Sequence, residues 1–284
     1  MQRFRIQHLT EYSFPTQVTL NQHRLLLRPR EGPDVRIEAS ALKISPAYSI
    51  KWQRDVFDNS LAMVDFLARS DRLTIASEVI IQHYKQAPYD FLVEEYAVNY
   101  PFAYALGEQA DLAAFQQPVF INDQGAVDQW LQQLDLRGMQ TFGLLVKVNQ
   151  AISRQFRYQV REEAGVQTPA QTLIKRSGSC RDYATLFVEA CRCLGLAGRF
   201  VSGYVHTPAT EAGNATTHAW AEVYLPGAGW MGFDSTAGEL TGDRHIAVAV
   251  ARNPEAVPPV SGSFTAPGLA TPAMLVNVQV KLLI

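Results

Sequence analysis

The sequence predicts an α+β protein: a β-rich, sandwich-like N-terminal unit followed by a unit that mixes helices with an antiparallel hairpin. Three observations carry this. Residues 1–87 hold short alternating runs (4–9, 23–27, 35–44, 61–67 and 73–82), broken by turn residues such as Glu31-Gly32-Pro33-Asp34 and Asp58-Asn59-Ser60. Many short strands with turn signals between them suit an antiparallel sandwich. Helical periodicity begins only after residue 126, and a strand–turn–strand pattern surrounds Pro226-Gly227-Ala228-Gly229.

The elements follow in order. Residues 88–125 read as an irregular connection, punctuated by Pro88, Pro101, Gly107, Pro118 and Gly125. The second unit is expected over 126–284. Val127, Trp130, Leu131 and Leu134 make one apolar helical stripe, and Phe142, Leu145, Val148 (or Asn149) and Ile152 another. Thr168-Pro169 reads as an N-cap followed by proline at the first helical position, opening a helix through Ile174. Ala184, Phe187, Ala190 or Cys191, and Leu194 predict a helix over 180–194, stopped by Gly195. The tail, 274–284, alternates as a closing strand.

Composition excludes several classes. The 284 residues are 47% hydrophobic and 18% charged, ordinary globular material. A net charge of −2 without Lys/Arg blocks gives no footprint for nucleic acid. No apolar run approaches the roughly 18 residues of a membrane span. The first residues read as a strand rather than a secretory signal, so a cytoplasmic location is expected. No cofactor and no metal site are indicated. The three cysteines, Cys180, Cys191 and Cys193, argue against a disulfide framework. On one helix the first two lie about 16 Å apart, beyond the roughly 7 Å a bridge allows.

Gly178-Ser179-Cys180-Arg181-Asp182-Tyr183-Ala184 is the most informative stretch. Small residues lead into Cys180 and the helical pattern starts at once, so Cys180 falls in the first turn. Unpaired backbone N–H groups and the positive end of the helix dipole favour a thiolate there, and could stabilise an oxyanion. Gly178 is expected to leave room for substrate. On the local pattern alone, a small buried cysteine fits as well. Cys191 and Cys193 lie deep in the helix and read as packing residues.

His218-Ala219-Trp220-Ala221-Glu222-Val223-Tyr224 alternates as a strand, and Trp230-Met231-Gly232-Phe233-Asp234 forms its partner. In a hairpin centred on Pro226, His218 faces Asp234 directly and Trp220 faces Gly232, large against small. A histidine paired with a carboxylate is held in one tautomer, its other nitrogen free to take a proton. A surface His–Asp pair is the plainer reading, and it weakens beside Cys180. His8, His23, His83 and His206 read as surface or core residues. His245, beside Asp243-Arg244, reads as a residue of the cleft rim.

With Cys, His and Asp in that order, the sequence resembles the bacterial transglutaminase-like superfamily of papain-type thiol enzymes. The resemblance rests on the three motifs G-x-C-R-D-(Y/F)-A, H-A-W-x-E-(V/I)-Y and G-W-x-x-F-D, matched by residues 178–184, 218–224 and 229–234. Phe156-Arg157-Tyr158 and Arg199-Phe200-Val201-Ser202-Gly203-Tyr204 agree too. Tyr12-Ser13-Phe14 through Pro29 looks like the β-rich domain that precedes this core in one bacterial subfamily described as cysteine proteases. The resemblance implies an α+β core with the cysteine helix packed on an antiparallel sheet. It also implies a Cys180–His218–Asp234 triad attacking amide bonds of a peptide or protein substrate. Ser179, Trp220, Tyr158 and His245 are the candidates for substrate and oxyanion contacts. The tryptophan that supports the oxyanion in animal cross-linking enzymes has no match, and no calcium loop of the Asp/Asn/Gly type is present. Hydrolysis is the favoured reaction; acyl transfer to an amine uses the same residues, and a peptide-binding scaffold without turnover is the third reading.

Overall fold

The computed structural model describes residues 1–84, 89–161, 163–213, 215–268 and 271–283. Pro88, expected to open the connection, and Ile284 lie outside the described residues. The N-terminal strands are β1 (Gln2–Leu20), β2 (His23–Leu25), β3 (Val35–Ser45), β4 (Tyr48–Arg54), β5 (Ser60–Phe66) and β6 (Ser70–His83). Each predicted run falls on one of them, with 23–27 and 61–67 running past the ends of β2 and β5. The half-exposed β4 lacks a clean alternation of burial and was not read from the sequence. β1 is longer than expected because it bends: its register with β6 shifts between Ser13 and Val18, around Pro15, which has no N–H to give a ladder.

The expected irregular connection contains helices α1 (Glu95–Val98) and α2 (Leu106–Gln116). Then come α3 (Gln124–Gln132), α4 (Thr141–Gln155), β7 (Arg157–Tyr158), α5 (Pro169–Lys175), β8 (Ser177–Gly178) and α6 (Cys180–Cys193). The chain continues through β9 (Gly198–Val205), α7 (Pro208–Glu211), β10 (His218–Leu225), β11 (Gly229–Asp234), β12 (Glu239–Leu240) and β13 (His245–Ala251). It ends on β14 (Val260–Ser261), β15 (Phe264–Thr265) and β16 (Ala273–Leu283). Among the described residues, no helix is long and apolar enough to cross a membrane.

Two N-terminal sheets, ordered β15-β1-β6-β3 (with β16 also on β1) and β14-β2-β5-β4, enclose Phe14, Val18, Leu20, Leu25, Val64, Leu73 and Ile75. The sandwich expectation is thus met, with one departure. β14, β15 and β16 pair with β2 and β1, so the last strands complete the N-terminal unit rather than the helical one. The second unit is an antiparallel sheet, β12-β11-β10-β9-β13. Leu186 and Phe187 of α6 share a core with Ala221, Val223 and Phe233 of that sheet and with the predicted stripes of α3 and α4. A second shared core joins the units: Phe4, Ile6, Val79, Ile81 and Val280 lie with Phe200, Tyr204, Ala219 and Ile246.

The N-terminal unit also covers the open edge of the second sheet. An exposed edge strand is a template for unwanted pairing, and on β13 its polar groups are taken up. Arg30 N–H donates to Ala247 O at 2.8 Å, and His83 Nε2 lies 3.0 Å from His245 O. Asn59, fully buried, imitates a strand: Nδ2 donates to Val250 O (2.7 Å) and Oδ1 accepts from Val250 N–H (2.9 Å). Asp55 and Arg30 satisfy the rest of the amide. Asn59→Ala should cost about 2–4 kcal/mol, because Val250 keeps its burial and loses its partners. Chemical denaturation measures this, and a change below about 0.5 kcal/mol, the scale of a surface substitution, would make the clamp irrelevant to stability.

Candidate active site

Cys180 is the first residue of α6, partly buried, directly after the N-cap Ser179. What makes the chain turn into a helix here is Asp182. Its carboxylate has no exposed surface and accepts from Ser179 N–H (2.8 Å), Ser179 Oγ (2.9 Å), Gln167 N–H (2.7 Å), Gln167 Nε2 (3.2 Å) and Arg161 Nη1 (2.7 Å). Burial opposes its charge, but these donors, Ser179 and Gln167 first, hold the carboxyl below the usual range. The Ser179-x-x-Asp182 spacing is a capping signature that the sequence reading passed over; the donation from Arg161 and Gln167 leaves no local signal.

Two expectations change as a result. The Ser179 hydroxyl is occupied by Asp182, so it is not free as an oxyanion donor. Gly178 is buried against Asp182 rather than open to substrate: a Cβ there would meet Asp182 Cβ at 2.9 Å and Gln167 Nε2 at 3.1 Å. By position, the N–H groups of Cys180 and Arg181 have no intrahelical acceptor, whereas those of Asp182 and Tyr183 bond Ser179 O.

The hairpin places His218 and Asp234 together in a different register from the one expected. Leu225 pairs with Gly229 and Glu222 with Gly232, so the loop is Pro226-Gly227-Ala228 and the ladder is centred on Gly227. Gly227 and Gly229 both take positive φ, as this loop requires. A shift of two residues leaves every side chain on its predicted face. His218 therefore meets Asp234 diagonally, with Nε2 2.8 Å from Oδ2. Gly232 makes room for Thr241, not Trp220; the room for Trp220 comes from Gly203 on β9, where a Cβ would meet the indole at 2.6 Å.

Nε2 being on Asp234, Nδ1 is the ring nitrogen left to the Cys180 thiol, which hydrogen-bonds the imidazole. Burial disfavours a charged ring; the hydrogen bonds to Asp234 and Cys180 and their charges outweigh it and raise His218 to about 10. Burial likewise opposes the Asp234 carboxylate, and donation from His218 and His245 overcomes it, holding the carboxyl far below its usual value. Asp234 Oδ1 accepts from Thr236 N–H at 2.9 Å. Asn149 of α4, one of two residues read as completing an apolar stripe, instead anchors this loop: it donates to Glu239 O (3.0 Å) and accepts from Ser235 Oγ (2.7 Å).

The remaining predicted residues divide. Trp220 is 1% exposed, its ring edge-on to His245 at 5.3 Å and tilted on His218 at 6.2 Å. It is a wall behind both imidazoles, out of reach of substrate. His245 lies deeper than a rim: it is partly buried, with Nε2 3.1 Å from Asp234 Oδ2. Tyr158 is half exposed on β7, whose partner strand ends at Gly178. Tyr158 pairs with Gly178, two residues before Cys180, and burial, then the charge of Cys180, push its phenol up to about 12. Cys191 is fully buried, and burial pushes its thiol up. Burial, with the Asp128 carboxylate, takes Cys193 to about 12.

A cysteine opening a helix, hydrogen-bonded to an imidazole that a hairpin carboxylate holds, on an α+β core, defines a papain-type thiol site. Residues 128–235 match the transglutaminase-like superfamily, and residues 4–82 match the bacterial transglutaminase-like N-terminal region. The chain thus carries a transglutaminase-like core behind a bacterial transglutaminase-like N-terminal region. An uncharacterised protein of Mycobacterium tuberculosis strain H37Rv is 29% identical over 274 residues, covering 92% of this chain and 87% of that protein. A Mycobacterium leprae protein, also uncharacterised, is 32% identical over 95 residues, 32% of this chain and 33% of its own. The crystal structure of "a putative cysteine protease" from Cytophaga hutchinsonii covers 100% of this chain and 91% of its own with a TM-score of 0.78 at 16% identity. That similarity extends the shared fold through both units.

Proposed function

We propose that the protein is a thiol hydrolase that cleaves amide bonds of peptides or proteins. The observation that carries this reading is the hydrogen-bonded series Cys180–His218–Asp234 at the start of α6. The Cys180 thiolate attacks the carbonyl carbon, and the electron pair of the C=O bond moves onto oxygen. The first-turn N–H groups of Cys180 and Arg181 are the donors best placed for that oxyanion. As the intermediate collapses, the C–N bond breaks and the His218 imidazolium delivers its Nδ1 proton to the leaving amine. Water then attacks the thioester, gives its proton to His218 and releases the acid. Tyr158 is assigned to substrate contact, being an exposed aromatic paired with Gly178 just before the thiol.

Transfer to an amine would replace only the water of the second half-reaction. Adding an amine to the trapped thioester separates the two: hydrolysis requires that acid remain the main product.

The thiol assignment has a direct test. A limiting dose of iodoacetamide near neutral pH should modify Cys180 before Cys191, which burial shields, and before Cys193, whose ionisation burial and Asp128 suppress. Peptide mapping that finds either of the latter labelled first removes the basis for Cys180 as nucleophile.

A further inference from the structure

The structure gives His245 a specific place. It stands at the start of β13, opposite Val205 on β9, with its side chain 8% exposed. Both ring nitrogens are engaged. Gly242 N–H donates to Nδ1 at 3.3 Å, so Nδ1 is the bare nitrogen and the ring proton sits on Nε2. That Nε2–H points at Asp234 Oδ2, 3.1 Å away. Asp234 thereby has three donors: Thr236 N–H on Oδ1, and His218 and His245 together on Oδ2.

This pattern speaks against two other roles. His218, Asp234 and His245 offer ligand atoms within 4.8 Å of one another, a spacing that would admit a metal ion. An ion would need Nε2 of His245 bare, moving its proton to Nδ1, where Gly242 N–H already points; two donors would then face each other. A second base is also disfavoured, because the nitrogen that could accept a proton is the one held by Gly242.

We propose that His245 is a positioning residue for the proton-transfer pair, an inference that rests on the Cys180–His218–Asp234 reading above. As a neutral Nε2–H donor it fixes the rotation of the Asp234 carboxylate, so that Oδ2 meets His218 diagonally across the hairpin. The position of His245 is in turn set by the N-terminal unit. His83 from the end of β6 reaches its carbonyl, and Arg30 and Asn59 hold Ala247 and Val250 further along the same strand. The β-rich unit therefore contributes to the site without touching substrate.

The experiment compares the rate of Cys180 alkylation by iodoacetamide in wild type, His218→Ala, His245→Ala and His245→Gln, with thermal unfolding recorded for each. Glutamine places an amide N–H near the position of Nε2–H and lacks an ionisable ring. The expected order is a large loss in His218→Ala, about a tenfold loss in His245→Ala, and a rate within about twofold of wild type in His245→Gln. The tenfold figure is the low end for losing a hydrogen bond to a charged group. Nitrogen-15 spectra of wild-type histidines need no variant to fold, and should show His245 as the Nε2–H tautomer. A wild-type rate in His245→Ala, a His245→Gln variant as slow as folded His245→Ala, or an Nδ1–H or doubly protonated ring in the spectra would overturn the proposal. Wild-type alkylation accelerated by zinc and slowed by a chelator would do so in favour of a metal. Loss of rate in His218→Ala with none in His245→Ala defeats this inference alone, whereas no loss in His218→Ala defeats the triad beneath it.

Discussion

Turnover should fall by about 10²–10⁴-fold when His218 is replaced by alanine, the contribution of a positioned general acid–base group. Asp234→Ala should cost less, since the imidazole remains but loses its 2.8 Å partner. Asp234→Asn should cost least, because thiol sites begin from a thiolate–imidazolium pair and tolerate a neutral orienter. The pH profile adds a second readout. His218, raised to about 10, keeps its proton across the neutral range, so wild-type activity should decline through an alkaline limb near 10 that is missing in His218→Ala. Stability follows the same groups with opposite signs. The raised imidazole contributes fully below its unfolded pKa of about 6.5 and loses that contribution as pH climbs towards 10. The depressed Asp234 contributes above about pH 4 and loses it on acidification. Unchanged turnover in His218→Ala on any cleaved substrate would remove this residue from the mechanism. His245→Ala, which a place on the cleft rim would let alter substrate binding at most, should also slow the thiol, given its bond to Asp234.

Asp182→Ala should destabilise the fold by about 3–5 kcal/mol, the cost of breaking a buried pair by removing one partner. The substitution takes the closer of two carboxylates from the Arg161 guanidinium and leaves the buried N–H groups of Ser179 and Gln167 without an acceptor. Because those bonds fix the turn into α6, the variant should also lose the preference for Cys180 in alkylation, even where it remains folded. Asp182→Asn keeps the shape and should fall between. In wild type the depressed carboxyl adds stability above about pH 4 that disappears as pH falls, and the asparagine variant should lack that part of the acid dependence. Denaturation midpoints at pH 7 and pH 4 measure both effects; an alanine variant within about 1 kcal/mol of wild type at pH 7 would show that the capping network is dispensable.

Local chemistry determined much of this protein in advance. Alternation placed β1, β2, β3, β5, β6, β10 and β16, the 3.6-residue period placed α3, α4 and α6, and Thr168-Pro169 marked the start of α5, because each depends on residues within a few positions of one another. Cys180 at a helix start and His218 on the same hairpin face as Asp234 were legible for the same reason, and even the wrong register kept the face, since it erred by two residues. What only the tertiary structure decided are contacts between residues far apart in the chain. Nothing near residue 245 says that its ring will meet Asp234, because that needs β13 laid beside β9 and capped by Asn59 from a turn some 190 residues earlier. Trp220 became a wall rather than a substrate contact through Gly203 on a neighbouring strand. The C-terminal strands returned to β1 and β2 because the apolar faces of those strands are completed only by them. Sequence pattern specifies which face a side chain takes; which partner fills that face is set by packing across the whole chain.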